Sequence, residues 1–410
     1  MSSSGLRLVV VPTDPIAAYE RAGYDWLERY YNPTGMFEEV FALSPLEQGE
    51  RTAFGMTIRG VSSGEFSQAL RAIRPHVVRA YGGHWPADLV CRHRLHKVPV
   101  VVSVHDKRRK LVYDAVRYAD VVICVSKAVE AQVHSVGANR KRIRVLPNRV
   151  DPGIFHPVTD KESLEAVAGR FPPGKHILHV GRKDPIKNLD TLVKAIALLS
   201  SEYSCVFVGR GDAAPYALLA EQLGVSSRCF WIESVTNSDL PAWYSWCDCF
   251  CLPSRSEAFP IVSIEAAACG AAIVTSDIGP MNEYLTHDVS ACLVSDYENP
   301  RALSDAIRKV CENPDYREVL RTGAIKASTP FDRNVVDAAE AAIYGDAIRM
   351  RSPTLARRLE ITAWNAKEEL KSRLHHSSSP VSRLARKSLS MSLKPLKALH
   401  RSRRLTGVAR

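Results

Sequence analysis

The chain of 410 residues lacks any apolar run close to the roughly 18 residues that a membrane-spanning helix needs. It has ten cysteines but no pair at CxxC spacing, so zinc-ribbon and dithiol redox motifs are excluded. No two aspartates are separated by a single residue, which removes one common device for holding a divalent cation. No short-period repeat is present, which excludes a solenoid. The N-terminal apolar run, Leu6–Val11, is too short and wrongly flanked for a secretory signal and reads as a first buried strand. The expectation is a cytosolic protein.

Cys124, Cys205, Cys249, Cys251 and Cys292 stand inside apolar, strand-like runs, as buried reduced thiols do. Cys247, Cys249 and Cys251 alternate, so in a strand all three point to one face. No histidine lies near them in sequence to complete a metal site. The net charge of +11 is unevenly placed. Residues 351–410 hold 15 Lys or Arg and 3 Asp or Glu, a net of +12, while the preceding 350 hold 40 and 41, a net of −1. The body is neutral and the tail makes the protein basic. No recognition module accompanies that charge, so nucleic acid is not an expected partner.

At this length two ordinary domains fit. Strand and helix patterns alternate: Leu6–Val11 (strand), Pro15–Tyr31 (helix), Phe37–Leu43 (strand), Glu65–Arg74 (helix), His76–Ala80 (strand), Ala87–Lys97 (helix), Val98–Val104 (strand), Tyr113–Ala119 (helix), Val121–Val125 (strand), Lys127–Val136 (helix) and Ile143–Leu146 (strand). The alternation predicts βαβ units and a parallel sheet. Residues 147–157, with three prolines and a glycine, read as a linker. A second alternation follows from Ile177 to Lys326. The fold class is therefore α/β, with two Rossmann-like, doubly wound domains at 1–150 and 151–350. Their carboxyl edges face one cleft, and a basic tail, helical or disordered, occupies 351–410. Leu355–Leu374 suits a helix, whereas Pro380 and Pro395 interrupt the remainder.

The most informative segment runs from Ser254 to Gly270, between the apolar runs Cys249–Pro253 and Ala271–Thr275. It reads as strand, polar turn, short helix and strand, with Glu257 in the turn and Glu265 in the helix. A strand-to-helix turn at the carboxyl edge of a parallel sheet offers free amides to an anion. Carboxylates beside it suit sugar hydroxyls, which donate hydrogen bonds. At the end of the strand Ile177–Val180, Gly181 permits close backbone approach, and Arg182 and Lys187 supply two cations fit to neutralise a diphosphate. Either cation alone reads as a solvated surface charge; together, and beside the glutamate segment, they read as a phosphate site.

Gly181, Arg182, Lys187 and Asn188, then Val208–Gly211, then Pro253, Ser254, Glu257–Pro260, Glu265, Cys269 and Gly270, then Gly279–Glu283 together resemble the retaining family 4 glycosyltransferases of GT-B fold. Val125–Lys127, Ile143–Asp151, Phe155–Pro157 and Pro99–Asp106 resemble the same family. The resemblance covers about residues 75–345. It implies that Arg182 and Lys187 hold a donor diphosphate and that Glu257 meets donor sugar hydroxyls. By the same resemblance the Phe259, Pro260, Ile261 and Val262 backbone lies near sugar and phosphate, Glu265 binds the ribose, and His105 faces the donor sugar. Gly209, Gly211 and the region of Glu233 fall on the base side. The implied activity is metal-independent, retaining hexosyl transfer from a nucleotide sugar to a glycan or lipid-linked acceptor in polysaccharide or glycoconjugate biosynthesis, with no cofactor. A GT-B nucleotide-sugar epimerase or hydrolase, or a non-catalytic nucleotide-sugar-binding scaffold, are the alternatives.

His105 reads either as such a group or as the cap of a turn paired with Asp106. Glu283 reads either as donor-positioning or as surface. Arg149 stands where the family carries glycine, and the family's N-terminal glycine-rich loop is not evident, Gly23 being the nearest substitute. Tyr19, Tyr24, Trp26, Tyr30 and Tyr31 suit either an acceptor or the core. The tail suits either an anionic membrane surface or a plain solvated segment. The lipid-linked acceptors of the resembling family turn the expectation toward peripheral contact with the inner face of the membrane.

Overall fold

Val100–Val104 and Tyr203–Val208 are buried at every position, as strands covered on both faces of a parallel sheet must be. The computed structural model describes residues 5–21, 27–350 and 352–376. Residues 5–350 carry two sheets. The first contains β1 (Arg7–Val11), β2 (Glu39–Ser44), β3 (Glu50–Ala53), β4 (Met56–Gly60), β5 (Val77–Tyr81), β6 (Val100–Val104), β7 (Val121–Cys124) and β8 (Ile143–Val145). The second contains β9 (Lys175–Val180), β10 (Tyr203–Val208), β11 (Cys229–Ile232), β12 (Cys249–Leu252), β13 (Ile273–Ser276) and β14 (Cys292–Val294). The strand orders are β3-β4-β2-β1-β5-β6-β7-β8 and β11-β10-β9-β12-β13-β14. Every pairing is parallel except β3 with β4. The order reverses between β1 and β5 in one sheet and between β9 and β12 in the other, and in such sheets ligands bind at the carboxyl ends beside the reversal.

Side chains of the second sheet alternate between its two covers. Tyr203, Cys205 and Phe207 join Leu189, Leu192 and Val193 of the helix Leu189–Ala197 on one face. Val206, Val208, Phe250 and Leu252 join Trp243, Tyr244 and Ile264 on the other. Each buried leucine or phenylalanine contributes roughly 1.5–3 kcal/mol of burial. All ten cysteines are free and buried. Cys249 and Cys251 share one face as expected, but Cys247 lies in the opposite core. It precedes the strand, as the residue that ends the helix Leu240–Trp246, so the period of two does not reach it.

Several elements differ from the pattern reading. Pro15–Tyr31 holds two short helices, Ile16–Arg21 and Leu27–Tyr31, and Gly23, Tyr24 and Trp26 lie outside the described residues. Tyr19, Tyr30 and Tyr31 pack in the core of the first sheet. Asp114–Tyr118 is a 3₁₀ turn, too short to nucleate an α-helix before β7. The β3–β4 hairpin is not apparent in the sequence, because its turn is Phe54-Gly55 with φ of 51° and 66°, lacking the usual Asn or Asp in the first place.

The helix Arg333–Arg349, here called the return helix, also has no plain apolar period. It places Val336, Tyr344 and Ala347 in the core of the first sheet. Sequence position groups it with 151–350, while its packing is with the first sheet. Asp337 and Glu340, the residues that spoil its period, are buried in ion pairs. The chain thus crosses between the sheets twice, and the crossings pair as a short bridge. Val150 donates to Phe331 O at 2.8 Å, and Arg333 donates to Val150 O at 2.9 Å. Residues 352–376 form a separate unit containing the helix Leu355–His376. Among the described residues no helix is long and apolar enough to cross a membrane.

Candidate active site

The loop after β9 is shaped by glycines. Gly181, Gly209 and Gly211 have φ of 157°, 140° and 119°, a region that L side chains avoid. A Cβ on Gly209 would lie 2.1 Å from Gly181 O, and one on Gly211 would lie 2.9 Å from Lys183 O. Bare backbone at 209 and 211 therefore lets the segment 181–183 lie against the end of β10. Lys183 secures it: its buried ammonium donates to Gly209 O and, at 3.1 Å, to Ile232 O. Burial lowers its pKa, opposed by Glu233 nearby. His179 Nδ1 donates across to Cys251 O at 2.9 Å, tying β9 to β12, and burial pushes its pKa down to about 3.

The loop after β12 is tied to the same segment. Lys187 Nζ lies 2.6 Å from Glu257 Oε1, and Ser254 Oγ donates to that oxygen at 2.7 Å. Arg255 bridges Asp190 at 3.0 Å, Glu298 at 2.7 Å and Pro185 O at 2.6 Å. Arg182 is exposed, and no acceptor holds its guanidinium among the described residues. The helix Ile261–Ala268 begins after Pro260 with no side-chain cap, leaving its first amides open toward the edge. Within it Glu265 accepts a hydrogen bond from Tyr244 Oη at 3.2 Å, and burial raises its pKa to about 7. The ring of Phe259 packs on Tyr284 and Phe331, with centroids 5.9 and 5.5 Å away, so only its backbone is free to meet a ligand.

The first sheet supplies the opposing wall. His105 follows β6, and its Nε2 lies 3.0 Å from Ser103 Oγ. Burial, Arg79 and Arg149 hold its pKa near 4, so the imidazole is neutral at physiological pH. Asp106 pairs with Arg108 and not with His105. Lys107 is half-buried with its pKa lowered by desolvation, and Glu257 is the first acid to oppose that shift. The 105–108 loop thus faces the loop that carries Glu257. Two further contacts hold the walls in register. Ser126 Oγ donates to Ala258 O at 2.7 Å, and Glu283 accepts the amides of Lys127 and Ala128 at 2.8 and 3.0 Å. Ser126 is the N-cap of the helix Lys127–Ser135, its Oγ accepting from Val129 N at 3.2 Å, and Glu283, from the other sheet, takes up the first two amides beside it.

The structure accordingly brings Gly181, Arg182, Lys187, Glu257, Phe259–Val262 and Glu265 to one sheet edge, with Gly209 and Gly211 packed beneath the loop and His105 across from it. The sequence reading gave no individual role to Lys107, Lys183, Ser254, Arg255 or Tyr244, although Ser254 stands among the family-like residues. Of these, Ser254 and Arg255 flank Glu257 closely enough to have been suspected. Lys183 had no distinguishing signal beside the cations at 182 and 187.

Two Rossmann-like sheets with facing carboxyl edges, strand orders reversing at the site and a helix returning to the first sheet define a GT-B fold. Solved structures with that fold superimpose on it. A HepE protein of Anabaena in complex with UDP gives a TM-score of 0.70 at 16% identity, covering 83% of this chain and 100% of the other. A sucrose-phosphate synthase of Thermosynechococcus elongatus gives 0.67 at 17% identity, covering 83% and 98%. Glycosyltransferase Family 4 matches residues 53–153, and Glycosyl transferases group 1 matches residues 160–327. The chain belongs to this family of GT-B glycosyltransferases. A D-inositol 3-phosphate glycosyltransferase of Xylanimonas cellulosilytica is 31% identical over 240 residues, 56% of this chain and 57% of that protein. One from Mycobacterium tuberculosis is 31% identical over 209 residues, 49% and 43%. The chain matches about half the length of these curated relatives.

Proposed function

We propose that this protein is a retaining glycosyltransferase that moves a hexosyl group from a nucleotide sugar to a glycan or lipid-linked acceptor without a divalent metal. The observation that carries the reading is the convergence of Arg182, Lys187 and the uncapped first turn of Ile261–Ala268 on the edge between β9 and β12, beside Glu257. As the sugar–phosphate bond breaks, negative charge grows on the diphosphate, and fixed cations and amides aimed there lower the barrier. In the absence of an Asp-x-Asp pair, these groups take the part of the metal.

In this reading Lys187 touches both the diphosphate and Glu257, and Glu257 turns its second oxygen to the sugar hydroxyls. Glu265 accepts from the ribose. The base lies by Gly209, Gly211 and Glu233. Neutral His105 faces the sugar near the reacting carbon. It accepts or donates a hydrogen bond there without adding a positive charge to an oxocarbenium-like centre, which suits departure and attack on the same face. UDP in the Anabaena structure makes a uridine donor the first to try. The phosphorylated acceptor in the relatives' names makes an anionic polyol a first acceptor to try, with Lys107 on the wall that would meet it. The basic tail 351–410 is assigned to an anionic membrane surface on the cytosolic side.

The test is nucleotide release from a panel of nucleotide sugars, with and without acceptors. Lys187→Ala and Glu257→Ala should each lower turnover by about 10²–10³-fold in folded protein; native rates in both would overturn the site. Release that ignores every acceptor would favour an epimerase or hydrolase. Unchanged liposome binding after deletion of 351–410 would remove the membrane assignment.

A further inference from the structure

Behind His105 lies a buried charge network that the donor chemistry does not require. Arg79, on β5, is 3% exposed, and Glu340, on the return helix, is 0% exposed. Arg79 Nη1 lies 2.5 Å from Glu340 Oε1 and 2.7 Å from Tyr344 Oη. The second oxygen of Glu340 accepts from Arg149 Nη2 at 2.5 Å, and Arg149 also pairs with Asp337. Arg333 pairs with Asp151 across the same crossing. Three arginines and three carboxylates thus surround the point where the chain passes twice between the sheets. Arg149, the residue standing in place of the family's glycine, is the pin that joins linker to return helix.

The network reaches the site through one ring. The Arg79 guanidinium lies 4.6 Å from the centroid of Tyr81. Tyr81 ends β5, and its ring is nearly parallel to that of His105, with centroids 6.4 Å apart and 16° between planes. Both distances are within the range for cation–π and offset aromatic contacts. His105 is thus bounded by Ser103 from its own strand, Tyr81 and Arg79 from β5, Glu340 from the return helix and Arg149 from the linker.

We propose that Glu340, Arg79 and Tyr81 are positioning residues for His105, so that the seat of the imidazole is set from the interdomain crossing. This rests on the reading of His105 as the group that faces the donor sugar. If the two crossings move as the sheets close, the arginine pair moves with them, and the ring stacked above follows.

The charges around His105 allow a test that separates positioning from loosening. Glu340→Gln removes the one acid that favours its protonated form, and Arg149→Gln removes a cation that opposes it. Histidine-labelled protein, with the His105 resonance assigned by its loss in His105→Gln, is titrated by NMR. The positioning network predicts a lower midpoint in Glu340→Gln and a higher one in Arg149→Gln. A pocket that merely loosens lets water in and raises both, which would overturn the proposal.

Because Glu340→Gln leaves two buried arginines short of an acid and risks unfolding, Tyr81→Phe and Tyr81→Leu provide a second arm. The phenylalanine variant keeps the ring and native kcat. The leucine variant loses about tenfold in kcat at unchanged donor KM, the signature of a contact that matters in the transition state. Where His105→Gln is impaired, native kcat in Tyr81→Leu also overturns the proposal. Full activity in His105→Gln would instead dismiss the assumed role of His105, and opposite NMR shifts would then still support the positioning.

Discussion

Lys187 and Glu257, 70 residues apart in sequence, form an ion pair of 2.6 Å at the carboxyl edge of the second sheet. Both side chains are largely covered, 16% and 11% exposed, and Ser254 donates to the shared oxygen. One oxygen of Glu257 is committed to the protein, and the other is left for a ligand. In the proposed donor complex the pair would let a carboxylate tolerate a neighbouring diphosphate, because the Lys187 cation answers both.

Lys187→Ala and Glu257→Ala should each lower turnover by about 10²–10³-fold, the loss typical of a removed charge-stabilising group. Because they act as one unit, the double variant should be little worse than either single variant. A double-mutant cycle on kcat/KM checks this, and full additivity would show that the two act independently.

Glu265 should make nucleotide binding depend on pH. Its folded pKa, about 7, is above the ordinary carboxylate value because burial disfavours the charge. As pH rises from the unfolded value through 7, the folded state carries an increasing penalty for ionisation. Glu265→Gln should therefore stabilise the free protein above pH 7 by roughly 1–3 kcal/mol. Ribose hydroxyls donate to a carboxylate, so binding should release protons below pH 7 and weaken as pH falls. Calorimetry in buffers of different ionisation enthalpy reads that release.

Glu283→Ala should leave the Ser126 cap in place but strip the acceptor from the first two amides of the helix Lys127–Ser135, at a cost of about 1 kcal/mol of stability. It should also free the first sheet to shift against the second and raise the KM for the donor. Urea denaturation and steady-state kinetics test the two parts, and Glu283→Gln, which keeps an acceptor, should recover part of both.

Gly209→Ala should disable the site from beneath. Its Cβ would meet Gly181 O at 2.1 Å, and its φ of 140° is strained for any side chain. The 181–187 loop must move, so donor binding should weaken at least tenfold, and the backbone clash should also lower the thermal midpoint. A native KM would mean that the loop can yield without displacing Lys187.

Much of the fold was legible in local pattern. Runs apolar at every position marked the central strands, and Gly181, Glu257 and Glu265 marked the edge where they meet. The return helix was not legible, since Asp337 and Glu340 interrupt its apolar spacing and find their partners on Arg149 and Arg79, 188 and 261 residues away. Glu283 read either as donor-positioning or as surface, and its contact with the first sheet was hidden for the same reason: the amides it accepts from belong to a helix of the other sheet. Cys247 was assigned to the wrong face because alternation holds only inside the strand that begins at Cys249.

By itself the sequence determined the α/β alternation, the two sheets, the neutral body with its basic tail, and the family. These depend on burial periodicity, charge and motif spacing, all of which are local along the chain. Tertiary structure alone decided that Lys187 pairs with Glu257, that Lys183 donates to the Gly209 and Ile232 carbonyls, and that the His105 ring rests on Tyr81 over a charge network at the crossing. Such pairings are made by distance in space, and a buried charge is compatible with its place only when the fold delivers its partner there.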